Sequence, residues 1–327
     1  MSYFAEDRWV WDFWIADDGI DYHLYFLSAP RSLGDPHLRH RNATIGHATG
    51  DDLRTWTFRG TVLGPGEPGE HDETATWTGS VVQGDDGRWR MFYTGSRFLD
   101  PATHTNVESI GVAVSDDLFT WRKLPGPVLT VDDRWYETLA DGTWHEEAWR
   151  DPWVTRHHDG WRMLLTARAR PAASDLDPRD AGVVAVAYSH DLDQWTTEAP
   201  LSTAGAGFAH LEVLQPFEWN GRSFVLFSCD TAHLAGDRRA RGERGGVWVA
   251  PVVDGRHQIE DARLLADERL YAARIVHDRA GAAHVMGFVN ASADGEFEGT
   301  ISDPLPLVGG DDGWPVIERT AAVAAGL

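Results

Sequence analysis

Three carboxylic acids recur at almost one place in a repeated unit. Asp12 stands fourteen residues ahead of Phe26, Asp151 thirteen ahead of Leu164, and Glu212 fourteen ahead of Leu226. Two further units carry Thr78 fourteen residues ahead of Phe92 and Ala272 fourteen ahead of Met286. A register repeated five times sets equivalent positions around one axis, so the three acids are expected to meet in one small volume. Crowded like charges raise the pKa of at least one member, which yields a protonated acid near neutral pH. Such a set can cleave a glycosidic bond. One carboxyl protonates the leaving oxygen, and a second attacks the anomeric carbon or activates a water. A third can hold ring hydroxyls in place. A single acid at the start of a strand can merely cap a turn, as Asp151 before Pro152 would. Three in register argue for chemistry.

The elements that must position these acids are legible from a second repeat. Gly46-His47-Ala48-Thr49-Gly50-Asp51-Asp52-Leu53-Arg54-Thr55-Trp56 returns as Gly111 to Trp121 and again as Val184 to Trp195, with a weaker copy at Gly246 to Pro251. Each copy reads as an alternating strand, an Asp-Leu turn and a Trp that opens the next strand. Turn signals at Asp17-Asp18-Gly19, Asp85-Asp86-Gly87, His158-Asp159-Gly160, Asn220-Gly221 and Arg279-Ala280-Gly281 separate the first two strands of each unit. Four strands per unit, repeated about every 60–70 residues, predict an all-β, five-bladed β-propeller with four antiparallel strands per blade. The expected blades span roughly 9–60, 75–125, 148–200, 210–255 and 268–310 of a single domain covering 1–327. Residues 311–327 are expected as a C-terminal arm or a closing strand, and no C-terminal β-sandwich is expected. The first strand of each blade should line the central channel, which puts the active site at one end of it.

Composition narrows the ligand. The chain has 327 residues, a formal charge of −22, 16 Trp and one cysteine, Cys229. Phosphate backbones would be repelled, so nucleic acid is excluded as a partner. No apolar run approaches the ~18–20 residues of a membrane span, so no membrane partner is expected. A small-molecule carbohydrate fits the abundance of aromatic faces. The first residues lack a basic segment and an apolar run, and the expected location is the cytoplasm. No cofactor and no metal are expected; His145, His157 and His158 lack a ligand spacing and read as loop residues. Oligomeric state is left open.

With the motifs in hand, a family resemblance emerges. Trp9-Val10-Trp11-Asp12-Phe13-Trp14 resembles the V-W-D-S-W nucleophile segment of levansucrases. Trp77-Thr78-Gly79-Ser80 resembles their W-S-G-S and the F-S-G-S of invertases, and Trp149-Arg150-Asp151-Pro152 is similar to the R-D-P of both. Glu212 to Phe217, followed by Asn220-Gly221, resembles the acid/base segment, and Tyr271-Ala272 the Y-A-P of invertase fifth blades. The resemblance covers about residues 9–290 and rests on the order and spacing of short motifs. It implies the clan of retaining β-fructofuranosidases and fructosyltransferases, glycoside hydrolase families 32 and 68. By position it implies Asp12 as nucleophile, Glu212 as general acid and then base, and Asp151 as the group that holds fructose hydroxyls and stabilises the transition state. It further implies Arg150 as an orienting cation, a fructose subsite walled by Trp11, Trp14 and Trp77, and binding roles for Thr78, Ser80 and Tyr271. The implied reaction is double displacement on a small β-fructofuranoside, with hydrolysis or transfer of the fructosyl group.

Departures fall on the far side of the scissile bond. Val213-Leu214 follows the Glu where invertases have Cys-Pro, and His210 stands where levansucrases usually have a second acid. Cys229-Asp230-Thr231-Ala232-His233 replaces a stretch that carries an Arg in levansucrases. Two other readings share the fold: an inverting arabinofuranosidase or xylosidase, and a non-catalytic sugar-binding propeller. Inverting enzymes hold their two carboxyls farther apart than retaining ones, which separates the first of these.

Overall fold

The computed structural model describes residues 3, 5–170, 177–291 and 296–324. Five antiparallel sheets follow one another along the chain. Blade one holds Arg8–Asp17, Tyr22–Pro30, Thr44–Gly50 and Thr57–Leu63, and blade two Ala75–Gln83, Trp89–Phe98, Asn106–Ser115 and Arg122–Lys123. Blade three holds Trp149–His157, Gly160–Arg168, Gly182–Ser189 and Thr196–Glu198. Blade four holds Glu212–Trp219, Arg222–Cys229, Gly246–Val253 and Arg256–His257, with Arg263–Asp267 added on its third strand. Blade five holds Leu270–His277, Ala283–Ala291, Leu305–Gly309 and Pro315–Ile317, with Phe297–Ile301 added on its second strand. First strands of successive blades pack on one another, and the first strand of blade five returns to that of blade one. That closed ring of first strands is the wall of a channel, and the sheets are the blades of a five-bladed propeller.

The repeated Asp-Leu-x-x-Trp phrase acts as a hinge pin for each outer strand. Asp117 accepts bonds from the backbone N–H groups of Phe119 and Thr120, and Asp191 does the same for Asp193 and Gln194. Leu118 and Leu192 bury their side chains in left-handed backbone, and the indoles of Trp121 and Trp195 donate to their carbonyls at 3.2 and 3.1 Å. Apolar side chains then fill the wedges between blades, for example Phe92, Ile110, Met163 and Leu165 between blades two and three. Leu164, Val184, Val225 and Phe227 do so between blades three and four.

Side chains near the axis also fasten blade to blade. Ser80 Oγ accepts from Val154 N, which joins blades two and three. Thr166 Oγ1 lies 2.9 Å from Leu211 O beside the first strand of blade four, and Gln215 makes two bonds to the backbone of Ile275 in blade five. The ring closes through the N-terminal segment, where Tyr3 exchanges backbone bonds of 2.8 and 2.9 Å with Ile301. The C-terminal region expected as an arm or a closing strand contains the outer strand of blade five, Pro315–Ile317, and the short helix Arg319–Ala324. Among the described residues no helix is long and apolar enough to cross a membrane.

Candidate active site

Every first strand breaks its ladder at the same level. In blade one Trp11 pairs with Leu27 and Phe13 with Phe26, so Asp12 is an extra residue. Thr78 is the extra residue of blade two, between the pairs Trp77–Thr94 and Gly79–Tyr93. The remaining blades set two residues against one: Asp151 and Pro152, Val213 and Leu214, Ala272 and Ala273. These are β-bulges, which re-aim side chains and bend the strand. Asp12, Asp151, Val213 and Ala272 take positive φ values of 27, 60, 58 and 44°, an arrangement costly for residues other than glycine.

The bulges correct the sequence register. Asp12, Thr78, Asp151, Val213 and Ala272 form one ring of equivalent positions. Glu212 stands one residue earlier, at the level of Trp11, Trp77, Arg150 and Tyr271. The count along the chain hid this, because a bulge of one residue and a bulge of two give nearly the same spacing to the next strand. The offset matters chemically. Asp12 and Asp151 ride on bulges, whereas Glu212 sits on regular backbone beside the basic Arg150.

A cavity of about 490 Å³ opens at this level, and both rings of positions line it. From the first strands come Trp11, Asp12, Trp77, Thr78, Arg150, Asp151, Glu212 and Tyr271. Loops complete the mouth with His37, Arg39, His104, His145, Asp230 and His233. Trp14 and Ser80, expected at the sugar, lie elsewhere. Trp14 is buried against Tyr25 at 6.2 Å between ring centroids, because alternation along the strand turns it to the face opposite Phe13. Ser80 is buried at the blade-to-blade bond already described. Of the histidines read as loop residues, His145 lines the cavity while His157 and His158 do not.

Each acid has its own set of partners. Asp12 Oδ2 accepts a short bond from Thr78 Oγ1. Burial, with the charges of Asp151 and Glu212, pushes Asp12 up to about 7, and the Thr78 bond works the other way. Asp151 Oδ2 accepts from Thr166 Oγ1 at 2.8 Å and from Val213 N at 3.1 Å, which leaves Oδ1 available. Glu212 Oε1 accepts from Arg150 Nη2 at 2.9 Å, and Oε2 from the Tyr271 hydroxyl at 2.6 Å. Burial raises the Glu212 carboxyl and Asp151 adds to it, while Arg150 and Tyr271 oppose the rise. Beneath the acids, buried Arg274 donates to Val213 O and Leu214 O and supplies a fixed positive charge, although burial brings it down to about 9.

Arg150 is the hub of a network that the sequence reading missed. Its Nη1 donates to Glu108 Oε1 at 3.1 Å and to Glu146 Oε1 at 3.0 Å. Its Nη2 stands 3.3 Å from His210 Nδ1; since guanidinium only donates, that nitrogen accepts. Burial and the nearby Arg150 hold His210 well below the usual imidazole range, so the ring is neutral. Glu108 is fully buried on the third strand of blade two, also accepts from Trp149 N at 2.8 Å, and is raised by burial to about 8. Glu146 sits four residues before Arg150, a visible spacing, but nothing along the chain marks Glu108, whose contact crosses between blades.

Comparison with known proteins agrees with the fold and the family. The family model described as Glycosyl hydrolases family 32 N-terminal domain matches residues 15–299, a stretch that contains Asp151 and Glu212 and begins just after Asp12. Sucrose-6-phosphate hydrolase of Escherichia coli is 28% identical over 236 residues, covering 69% of this chain and 43% of that protein. Sucrose-6-phosphate hydrolase of Salmonella typhimurium is 29% identical over 240 residues, covering 71% and 45%. The chain thus spans less than half the length of these relatives. Among solved structures, inulosucrase from Halalkalicoccus jeotgali bound to kestose superposes with a TM-score of 0.75 at 23% identity, covering 94% of this chain and 86% of that one. Bacillus subtilis levansucrase gives 0.72 at 14% identity, covering 98% and 88%.

Proposed function

We propose that this chain, which belongs to glycosyl hydrolase family 32, is a retaining glycosidase acting on a small β-fructofuranoside. The observation that carries the reading is the meeting of Asp12, Asp151 and Glu212 in one cavity, each with different partners. Asp12, accepting the Thr78 hydroxyl through Oδ2, keeps Oδ1 for attack on the anomeric carbon. Glu212 protonates the departing oxygen, so that the glycosidic bond breaks as the ester to Asp12 forms. The Arg150 and Tyr271 bonds then stabilise the Glu212 carboxylate left behind, which takes a proton from water or from an acceptor hydroxyl in the second step. That oxygen attacks the fructosyl carbon and releases Asp12. Asp151, tied down at Oδ2, offers Oδ1 to ring hydroxyls, and Trp11 and Trp77 give the sugar apolar wall. A cytoplasmic location belongs to this reading and suits a lone buried thiol, Cys229; cell fractionation tests it.

The test is incubation with sucrose and short fructooligosaccharides, with fructose release followed over time. Asp12→Ala and Glu212→Ala should each lower the rate by about 1,000-fold or more. Proton NMR of the first product should show the β-anomer of fructofuranose. Release of the α-anomer, or activity confined to arabinosides and xylosides, would replace this reading with the inverting one.

A further inference from the structure

The cavity is built from hydrogen-bond acceptors. Asp12, Asp151, Glu146, Glu212 and Asp230 all line it. Buried Asn106 lines it as well, donates its Nδ2 to His104 O at 3.1 Å, and leaves Oδ1 without a partner. The His104 carbonyl can only accept, so the amide orientation is set and the orphan atom is the acceptor. A ligand that satisfies such a wall must bring protons. Sugar hydroxyls do; a phosphate dianion brings negative charge and further acceptors.

Few cations stand where they could offset such a charge. The chain has a single lysine, Lys123, and it is bound to Asp72 and to Gly64 O away from the cavity. Of the 29 lysines and arginines only Arg39 and Arg150 line the cavity among the described residues, and the segments outside the described residues contain neither Lys, Arg nor His. Arg150 already serves Glu108, Glu146 and Glu212. Arg39 lies over the Phe297 ring at 4.1 Å and the Trp11 ring at 5.7 Å and donates to Pro36 O; its buried Nε is unpartnered, but it stands on the Asp12 side, where the fructosyl group rather than the leaving group would lie. On the Glu212 side, where the leaving group must lie, the Asp230 carboxylate is 2.9 Å from His233 Nδ1 and neutralises the charge it induces there. His210 is neutral.

We propose that the leaving group this site accepts is an uncharged sugar and that a phosphorylated one is rejected. This rests on the fructosidase reading above, and it separates the chain from the sucrose-6-phosphate hydrolases it resembles in sequence. Repulsion acts at two ranges: the acceptor wall disfavours the bound dianion, and a chain charge of −22 slows its approach.

The experiment measures kcat/KM for sucrose and for sucrose 6-phosphate on the wild-type chain and on Asp230→Asn. Sucrose is expected to be favoured by at least about tenfold at low ionic strength, with the ratio shrinking as salt is added. Asp230→Asn replaces an acceptor of the wall by an amide that can donate, while His233 loses the charge that Asp230 induced, so it should raise the sucrose 6-phosphate rate relative to sucrose several-fold; general damage to the site would lower both together. Equal rates, or a preference for the phosphorylated sugar, would overturn the proposal while leaving the fructosidase reading intact. If neither sugar is cleaved, the fructosidase reading falls and this inference falls with it.

Discussion

Asp12 concentrates the conflict on which the site depends. An attacking carboxylate must be charged, yet burial and two neighbouring acids hold its pKa at about 7. The acid limb of the kcat/KM profile should therefore bend at an apparent pKa near 7, a value belonging to the coupled acids as a set. Thr78→Val removes the hydroxyl that favours the charged form, so the limb should move to higher pH, which a pH–rate profile reads directly. The same residue makes a stability prediction. With a folded-state pKa of about 7 against 3.8 unfolded, Asp12 binds a proton in the native state that the unfolded chain has lost. Its contribution is most favourable below pH 3.8 and is lost as pH rises to about 7. Asp12→Asn has no such slope, so its melting temperature should gain on the wild type by a few degrees between pH 4 and pH 7 and hold that gain above. The three acids were legible because each heads a repeat. The surroundings of Glu212 were legible only in part: its partners Arg150 and Tyr271 belong to short motifs, whereas Glu108, which pairs with Arg150, and the histidines of the mouth arrive from loops and strands distant along the chain.

At the scale of elements, the bulged first strand is the working part. It turns Asp12 and Asp151 into the cavity, and it frees backbone groups that side chains of neighbouring blades then occupy. Thr166 shows the coupling, since its single hydroxyl proton is shared between Asp151 Oδ2 at 2.8 Å and Leu211 O at 2.9 Å, at the boundary of blades three and four. Thr166→Val keeps the shape and deletes that shared donor. It should cost about 1–3 kcal/mol in denaturant unfolding and lower kcat/KM together with it, because a buried acceptor is left unmatched. Strands, turns and their order could be read from alternation and from the Asp-Leu-x-x-Trp phrase. The length of each bulge could not. One extra residue or two changes the local ladder while hardly changing the distance to the next turn, and that is why Glu212 was placed one position late.

For the whole molecule, a propeller has no natural end, so its stability depends on how the last blade meets the first. Here the first strand of blade one packs on blade five, and Tyr3 adds two backbone bonds to Ile301. Tyr3→Pro deletes the N–H of that pair and should lower the melting temperature by a few degrees while leaving kcat on sucrose nearly unchanged, since no cavity residue lies on that segment. Five blades were readable from five registers. The closing contact was not, because a short bridge of one residue carries no periodic signal. The left-handed backbone at Val213 and Ala272 has a consequence for anyone who would rebuild this protein. Those two positions keep the strained geometry of Asp12 and Asp151 without carrying an acid. The ring therefore holds two vacant seats of the same design, and new chemistry could be installed at either by changing a side chain alone, with no backbone to invent.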